Sequence, residues 1–345
     1  LCDMGAVPTY ELEALAYHEG IPGHHLQTAI AATAENLPPF RRHANYHAYT
    51  EGWALYAERL AMEMGGYQVV YSDLGRLESV IVGNSGRLYV SRTPTGATTS
   101  RLISIRRPGG SPQTVVDGPG GPGGLAWQKK RLLWGYGNSA ANGVTGDENP
   151  VSGLYRVNLS KRKRSLVSDR LGMANGIVRA RTGSIFASND FGMKLDRITP
   201  SGRTVNGWTT LDSANGMVLS ENQKYIFAAQ TFSDPPAIAR IRISNPPKVK
   251  TWASTEDVFT GNPVFDGLTR DNKGSLYVTA FATGEVWKID SDRRFCVLAT
   301  GLAQTSAVAF GRGKKGFSSG RLYAVGFNGE LTAIKGARRA VVPEN

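Results

Sequence analysis

From residue 78 onward, one order of apolar and polar positions repeats six times. Each copy opens on a polar or small residue, in most cases followed by glycine, and runs into a short apolar stretch: Glu78-Ser-Val, Gly123-Gly-Leu, Asn175-Gly-Ile, Asn215-Gly-Met, Asp266-Gly-Leu and Ser306-Ala-Val. After a turn comes a second apolar run, starting at Arg87, Arg131, Ser184, Tyr225, Ser275 and Arg321. A third run starts at Arg101, Gly153, Lys194, Ala237, Glu285 and Glu330. Short apolar runs bounded by Gly, Asn, Asp and Ser are antiparallel strands joined by tight turns. The second runs lie 44, 53, 41, 50 and 46 residues apart, and a period of about 40 to 50 residues built only of strands predicts propeller blades. A single such sheet cannot bury both faces, so the copies are expected to stack radially into an all-β, six-bladed β-propeller over residues 78–345. The Pro/Gly-rich stretch 108–124 reads as a loop between the first two blades, and Gly311 to Gly320 as a widened turn of the last.

Residues 1–77 follow a helical period and are expected to form a short N-terminal α-helical appendage. Tyr10 to Tyr17 and Ala29 to Ala34 are helical in pattern, Pro38-Pro39 breaks it, and Tyr46 to Met64 forms a long amphipathic helix. All five histidines (18, 24, 25, 43 and 47) lie in this zone and none in the propeller. Any chemistry in the two zones must therefore differ. The zinc-helix pattern needs a second histidine four residues after the first, and here that position is Pro22. On an unbroken helix His24 would lie roughly 9 Å along and about 120° round from His18, and His25 roughly 10 Å along the same face. Neither pair could share one zinc with bonds of roughly 2 Å. Proline clashes with the carbonyl four residues back, that of His18, so a break at Pro22-Gly23 could fold His24 or His25 towards His18. Glu51 would then supply a third ligand, with Glu19 beside His18 to activate water.

Charge divides along the same boundary. Residues 1–77 carry four bases against nine acids, a formal −5, and the remainder 36 against 19, a formal +17, for the total of +12. The bases are scattered over the blades, the densest cluster being Lys161-Arg-Lys-Arg164, and a solvated rim rather than a specific nucleic-acid site is expected. No run of 18 apolar residues occurs, so no membrane span is expected. Cys2 and Cys296 make no disulfide framework. No secretory signal is present, but the chain begins at Leu1 rather than Met and its true start is expected to lie further upstream; location is not read from the sequence beyond a lean towards an extracytoplasmic one.

In a propeller the inner strands line the central channel and their first residues gather at one mouth. Glu78, Asn175, Asn215 and Asp266 would bring two carboxylates and two amides there, oxygen ligands suited to a hard divalent cation. Calcium fits best, with zinc, magnesium or manganese open. The glycines after Asn175, Asn215 and Asp266 are expected to let the backbone turn tightly at this mouth.

Two resemblances follow from these residues. HEGIPGHHLQ (18–27) with TEGWALYAERL (50–60) and YSDLGRL (71–77) resembles a bacterial domain of unknown function grouped with zincin-type metallopeptidases. It implies His18, one of His24 or His25, and Glu51 as zinc ligands and Glu19 as base. The family's domain is several times longer, so this fragment is expected not to act as an independent zinc peptidase. NGIVRARTGSIFASND (175–190), NGMVLSENQKYIFAAQT (215–231) and DGLTRDNKGSLYVTAF (266–281) resemble the SMP-30/gluconolactonase/luciferin-regenerating-enzyme propellers. That family implies Glu78, Asn215 and Asp266 as metal ligands, Asn175 as a metal or substrate contact and Asp266 as general base. The implied activity is metal-dependent hydrolysis of a small lactone or related ester. Met173 stands where sugar-lactone members place arginine, which turns the expectation away from aldonolactones. A non-enzymatic ligand-binding propeller and a peptidase-like activity of the N-terminal zone are the alternatives.

Overall fold

A computed structural model describes residues 16–35, 37–38, 41–42, 47–64, 75–244, 246–255 and 263–342. The chain divides into two compact units, one up to Gly75, with which Pro94–Ala97 is grouped, and one comprising Arg76–Thr93 and Thr98 onward.

The first unit contains α1 (His24–Thr33) and α2 (His47–Glu63). Most of the helix expected over Tyr10 to Tyr17 lies outside the described residues. α1 begins directly after Pro22-Gly23, so the proline ends one helical segment and a new one starts. A Cβ at Gly23 would lie 1.8 Å from the His18 carbonyl oxygen, so only glycine allows this return. Trp53 of α2 donates its Nε1–H to the Pro22 carbonyl at 2.8 Å, pinning the break against α2. Among the described residues no helix is long and apolar enough to cross a membrane.

The second unit is a six-bladed β-propeller. Blade one is β1 (Arg76–Val82), β2 (Leu88–Thr93), β3 (Ser100–Ile105) and β4 (Gln113–Gly118). Blade two is β5 (Pro122–Gln128), β6 (Arg131–Tyr136), β7 (Ser152–Asn158) and β8 (Lys163–Leu171), with the short α3 (Ala140–Gly146) between β6 and β7. Blade three is β9 (Ile177–Arg179), β10 (Ile185–Ala187), β11 (Lys194–Ile198) and β12 (Thr204–Thr210). Blade four is β13 (Ala214–Leu219), β14 (Tyr225–Gln230), β15 (Ala237–Arg242) and β16 (Lys248–Ser254). Blade five is β17 (Phe265–Arg270), β18 (Leu276–Ala280), β19 (Glu285–Ile289) and β20 (Phe295–Ala299). Blade six is β21 (Thr305–Phe310), β22 (Arg321–Gly326) and β23 (Leu331–Lys335). Each blade is an antiparallel meander with strands in chain order.

Three recurring runs predict the inner strands of every blade. The outermost strands β4, β8, β12 and β16 escape that pattern because polar and exposed residues interrupt them, as in β8, KRSLVSDRL; β20, FCVLA, is apolar and is simply not among the three runs. The 108–124 stretch is corrected on this point: it is not all loop, since β4 runs through QTVVDG.

Hydrogen-bond ladders hold each blade together, and the apolar core lies between neighbouring blades. Trp134, Leu132 and Val157 of blade two pack on Tyr89, Leu102 and Val116 of blade one. Phe186 and Leu195 of blade three likewise meet Met217, Ile226 and Ile241 of blade four. Each fully buried side chain of this size contributes about 1.5–3 kcal/mol. The ring closes where Ser306 on β21 donates its Oγ–H to the Leu77 carbonyl on β1 at 2.6 Å.

The glycine of the repeated opening has a different role from the expected tight turn. A Cβ at Gly176 would lie 2.3 Å from the Asn215 carbonyl oxygen, and one at Gly216 would lie 2.4 Å from that of Asp266. Neither residue has a positive φ. Glycine is there because the next blade's inner strand passes too close for any side chain.

Candidate active site at the propeller mouth

The opening residues do more than begin strands. In β1 the pairing register with β2 shifts between Leu77 and Ser79, in β13 between Ala214 and Met217, and in β17 between Phe265 and Leu268. Glu78, Asn215 and Asp266 therefore each sit in a bulge. A bulge leaves a residue out of the ladder and re-aims its side chain, here inward. Asn175 lies just ahead of β9.

All four predicted residues line one cavity of about 640 Å³, and all four also line the narrow channel space of about 80 Å³ beneath it. They form the floor of the mouth. The structure adds residues that the sequence pattern did not single out. Asp190, in the β10–β11 connection, accepts a hydrogen bond from Asn175 Nδ2 at 2.8 Å, and its other oxygen lies 3.5 Å from Asn215 Nδ2. Only the third repeat carries an acid there, so no recurrence flagged it. Arg76 Nε donates to Glu78 Oε1 at 2.6 Å, and its guanidinium lies 3.7 Å above the Phe327 ring. Phe191 and Phe232, tilted against each other, and Phe281 and Phe327, packed edge to face, line the cavity, with Met173 beside them.

Three carboxylates with one guanidinium make an electrostatically unsettled floor. Burial pushes Glu78 up to about 8, against the pull of Arg76, and Asp190 adds to the rise. Burial likewise raises Asp190 to about 6, opposed by its bond from Asn175. Asp266 is driven well above the usual carboxylate range by burial first, then by the charges of Asp190 and Glu78. Asn215 Nδ2 donates to Thr231 Oγ1 at 2.9 Å, while Asn215 Oδ1 is buried with no hydrogen-bond partner. A buried amide oxygen without a donor is costly, and oxygen is what a hard dication takes. The donor set fits such an ion.

In the N-terminal unit the fold makes the choice that spacing left open. His18, His24 and Glu51 present ligand atoms within 4.8 Å of one another. His18 Nε2 lies 3.4 Å from Glu51 Oε2, and His24 Nε2 lies 3.6 Å from Glu51 Oε1. Ligands of a tetrahedral zinc at roughly 2.1 Å stand roughly 3.4 Å apart, so these residues also fit the metal. His25 is corrected as a ligand: it is exposed and not part of the cluster. His24 opens α1, and one residue further the side chain is rotated by about 100° away from the cluster. Glu58, not foreseen, accepts from His18 Nδ1–H at 2.7 Å and so presents Nε2 to the cluster. Glu19 lines the same cavity, of about 990 Å³, as the three ligands.

Comparison with known proteins matches different parts of the chain to different proteins. The family model described as "Bacterial protein of unknown function (DUF885)" matches residues 1–82 and so runs through Glu78 to the end of β1. No curated protein matches the chain. Solved propellers share the fold. A gluconolactonase from Xanthomonas campestris superposes with a TM-score of 0.58 at 18% identity, over 75% of this chain and 85% of that one. The calcium-binding protein regucalcin from Agrobacterium tumefaciens gives 0.53 at 14% identity, over 74% and 84%. A chain of the nidogen/laminin complex gives 0.54 at 15% identity, over 70% and 89%. At such identities the likeness shows the fold alone, a six-bladed propeller. A protein from a binding complex shares the same fold, so the activity must be argued from the site.

Proposed function

We propose that the propeller mouth is a divalent-cation-dependent esterase site acting on a lactone or related ester with an apolar body. The observation that supports this most directly is Asn215 Oδ1, buried without a partner beside three buried carboxylates. Glu78, Asn215 and Asp266 would hold the cation, with Asn175 contacting it or the substrate. When bound, the ion would polarise the ester carbonyl and neutralise the acidic floor. Arg76 keeps Glu78 oriented, and the phenylalanine pairs exclude water and hold the substrate's apolar part. Met173 on the wall suits hydrocarbon better than a sugar's hydroxyls. Asp266 takes a proton from water as the water oxygen bonds to the carbonyl carbon. The ring C–O bond then breaks, and Asp190, poised near neutrality, protonates the departing alkoxide.

The test is a panel of aliphatic lactones, sugar lactones and aryl esters, assayed after chelation and again with Ca²⁺, Mg²⁺, Mn²⁺ or Zn²⁺. Turnover is expected to favour apolar substrates and to return only with added cation. Full activity after chelation would sink the reading, and cation binding without any ester turnover would favour a ligand-binding propeller.

A second reading concerns the first unit and departs from the expectation drawn from its length; it rests on the spacing of His18, His24 and Glu51. We propose a zinc site there, with Glu19 placed to activate water in a peptidase-like hydrolysis. Metal analysis of the full chain is expected to find zinc that is lost in the His18→Ala/Glu51→Ala protein. Equal zinc in both proteins would assign the metal to the propeller.

A further inference from the structure

An antiparallel meander sends alternate turns to opposite ends of its sheet. In each blade the first and third strands run away from the mouth and the others return. The turns after those first and third strands, with residues 336–342 beyond β23, therefore share the face opposite the mouth. Together they hold eighteen lysines and arginines against four acids. The described connections on the mouth face hold six acids and neither lysine nor arginine. What the sequence presents as scattered bases around a rim is thus sorted by the fold into one positive face.

Every blade contributes to it, with Arg107, Lys130, Arg181, Lys224, Lys273 and Lys314 all exposed. Half of the opposing acid is already engaged internally. Asp271 is buried and accepts from Lys273 N, Ser275 N and the Tyr277 hydroxyl. Asp290 lies 2.7 Å from Arg294. Between the turns of blades one and six the face deepens into a cleft of about 700 Å³ lined by Arg87, Arg106, Arg107 and Lys315, with no acid on its wall.

We propose that this face docks on an anionic lipid bilayer, with the cleft taking a headgroup phosphate. A bilayer can meet turns from all six blades at once, whereas a nucleic-acid duplex is a rod that would touch those along one stripe. Single strands are held largely by stacking on aromatic rings, and the only aromatic residue in these turns, Phe317, is buried. Val341, on the same face, is 84% exposed and can enter the headgroup layer. Basic residues close to an anionic leaflet add attraction that falls away within a Debye length. Docked in this way, the mouth would face the aqueous phase.

The experiment is co-flotation of the full chain with vesicles of phosphatidylcholine, alone or with phosphatidylglycerol, across a salt series. Binding is expected only to the anionic vesicles and is expected to fade as salt rises. Lys314→Glu/Lys315→Glu should weaken it at least tenfold. Arg101→Glu/Arg170→Glu, which alters net charge equally at the mouth ends of β3 and β8, should change it little. No flotation with anionic vesicles, or equal loss in both variants, overturns the proposal. Tighter binding to duplex or single-stranded DNA than to vesicles at the same salt also overturns it, in favour of nucleic acid.

Discussion

Asp266→Asn is expected to lower kcat/KM for ester hydrolysis by about 10³-fold or more, and Asp266→Ala to abolish measurable turnover. General acid–base catalysis contributes about 10²–10⁴-fold. Here the same residue also supplies one of the two charged oxygens proposed for the cation, so both losses fall together. Asp266 lies on a bulge and lines the same cavity as Glu78 and Asp190, whose charges raise it. The asparagine variant keeps the shape and an oxygen, so a large loss of rate with a moderate loss of cation affinity would separate base from ligand. Rate constants on the best substrate of the panel, with a calorimetric cation titration, provide the check. A variant that retains wild-type rate would leave Asp266 without the role of base.

The metal-free protein is expected to lose stability as pH rises from about 4.5 to about 8, by an amount of the order of a few kcal/mol. Glu78 moves from 4.5 up to about 8 on folding, and Asp190 from 3.8 to about 6. Within that window the folded state holds protons that the unfolded chain has released. Stability therefore falls as pH rises, at about 1.4 kcal/mol per pH unit for each proton so retained. The sign is opposite to that of a salt-bridged carboxylate, because burial rather than pairing dominates. Added Ca²⁺ should oppose the loss, so the gap between cation-loaded and chelated protein should widen towards pH 8. Glu78→Gln should flatten much of the chelated profile. Urea midpoints at four pH values measure this, and a chelated wild-type profile that is level or rising would show that these acids are ionised at little cost.

How much of this was legible along the chain depends on the range of the interactions involved. Blade number, inner strands and the recurrence of Glu78, Asn175, Asn215 and Asp266 were readable because each blade repeats a local grammar; that three of them sit in bulges within their strands, and Asn175 just ahead of one, was not. The meaning of the glycines was not readable. Their constraint comes from a carbonyl some forty residues onward, that of Asn215 for Gly176. Asp190 and the phenylalanine pairs belong to connections that differ from blade to blade, and they converge only when the ring closes through Ser306 and Leu77. In the first unit the spacing left His24 and His25 equivalent; where α1 restarts after Gly23, and how Trp53 anchors that break, favours His24. Charge shows the same division. Composition supplied the excess of bases, but their gathering on one face comes from strand direction, because an antiparallel sheet separates consecutive turns by the full length of a strand.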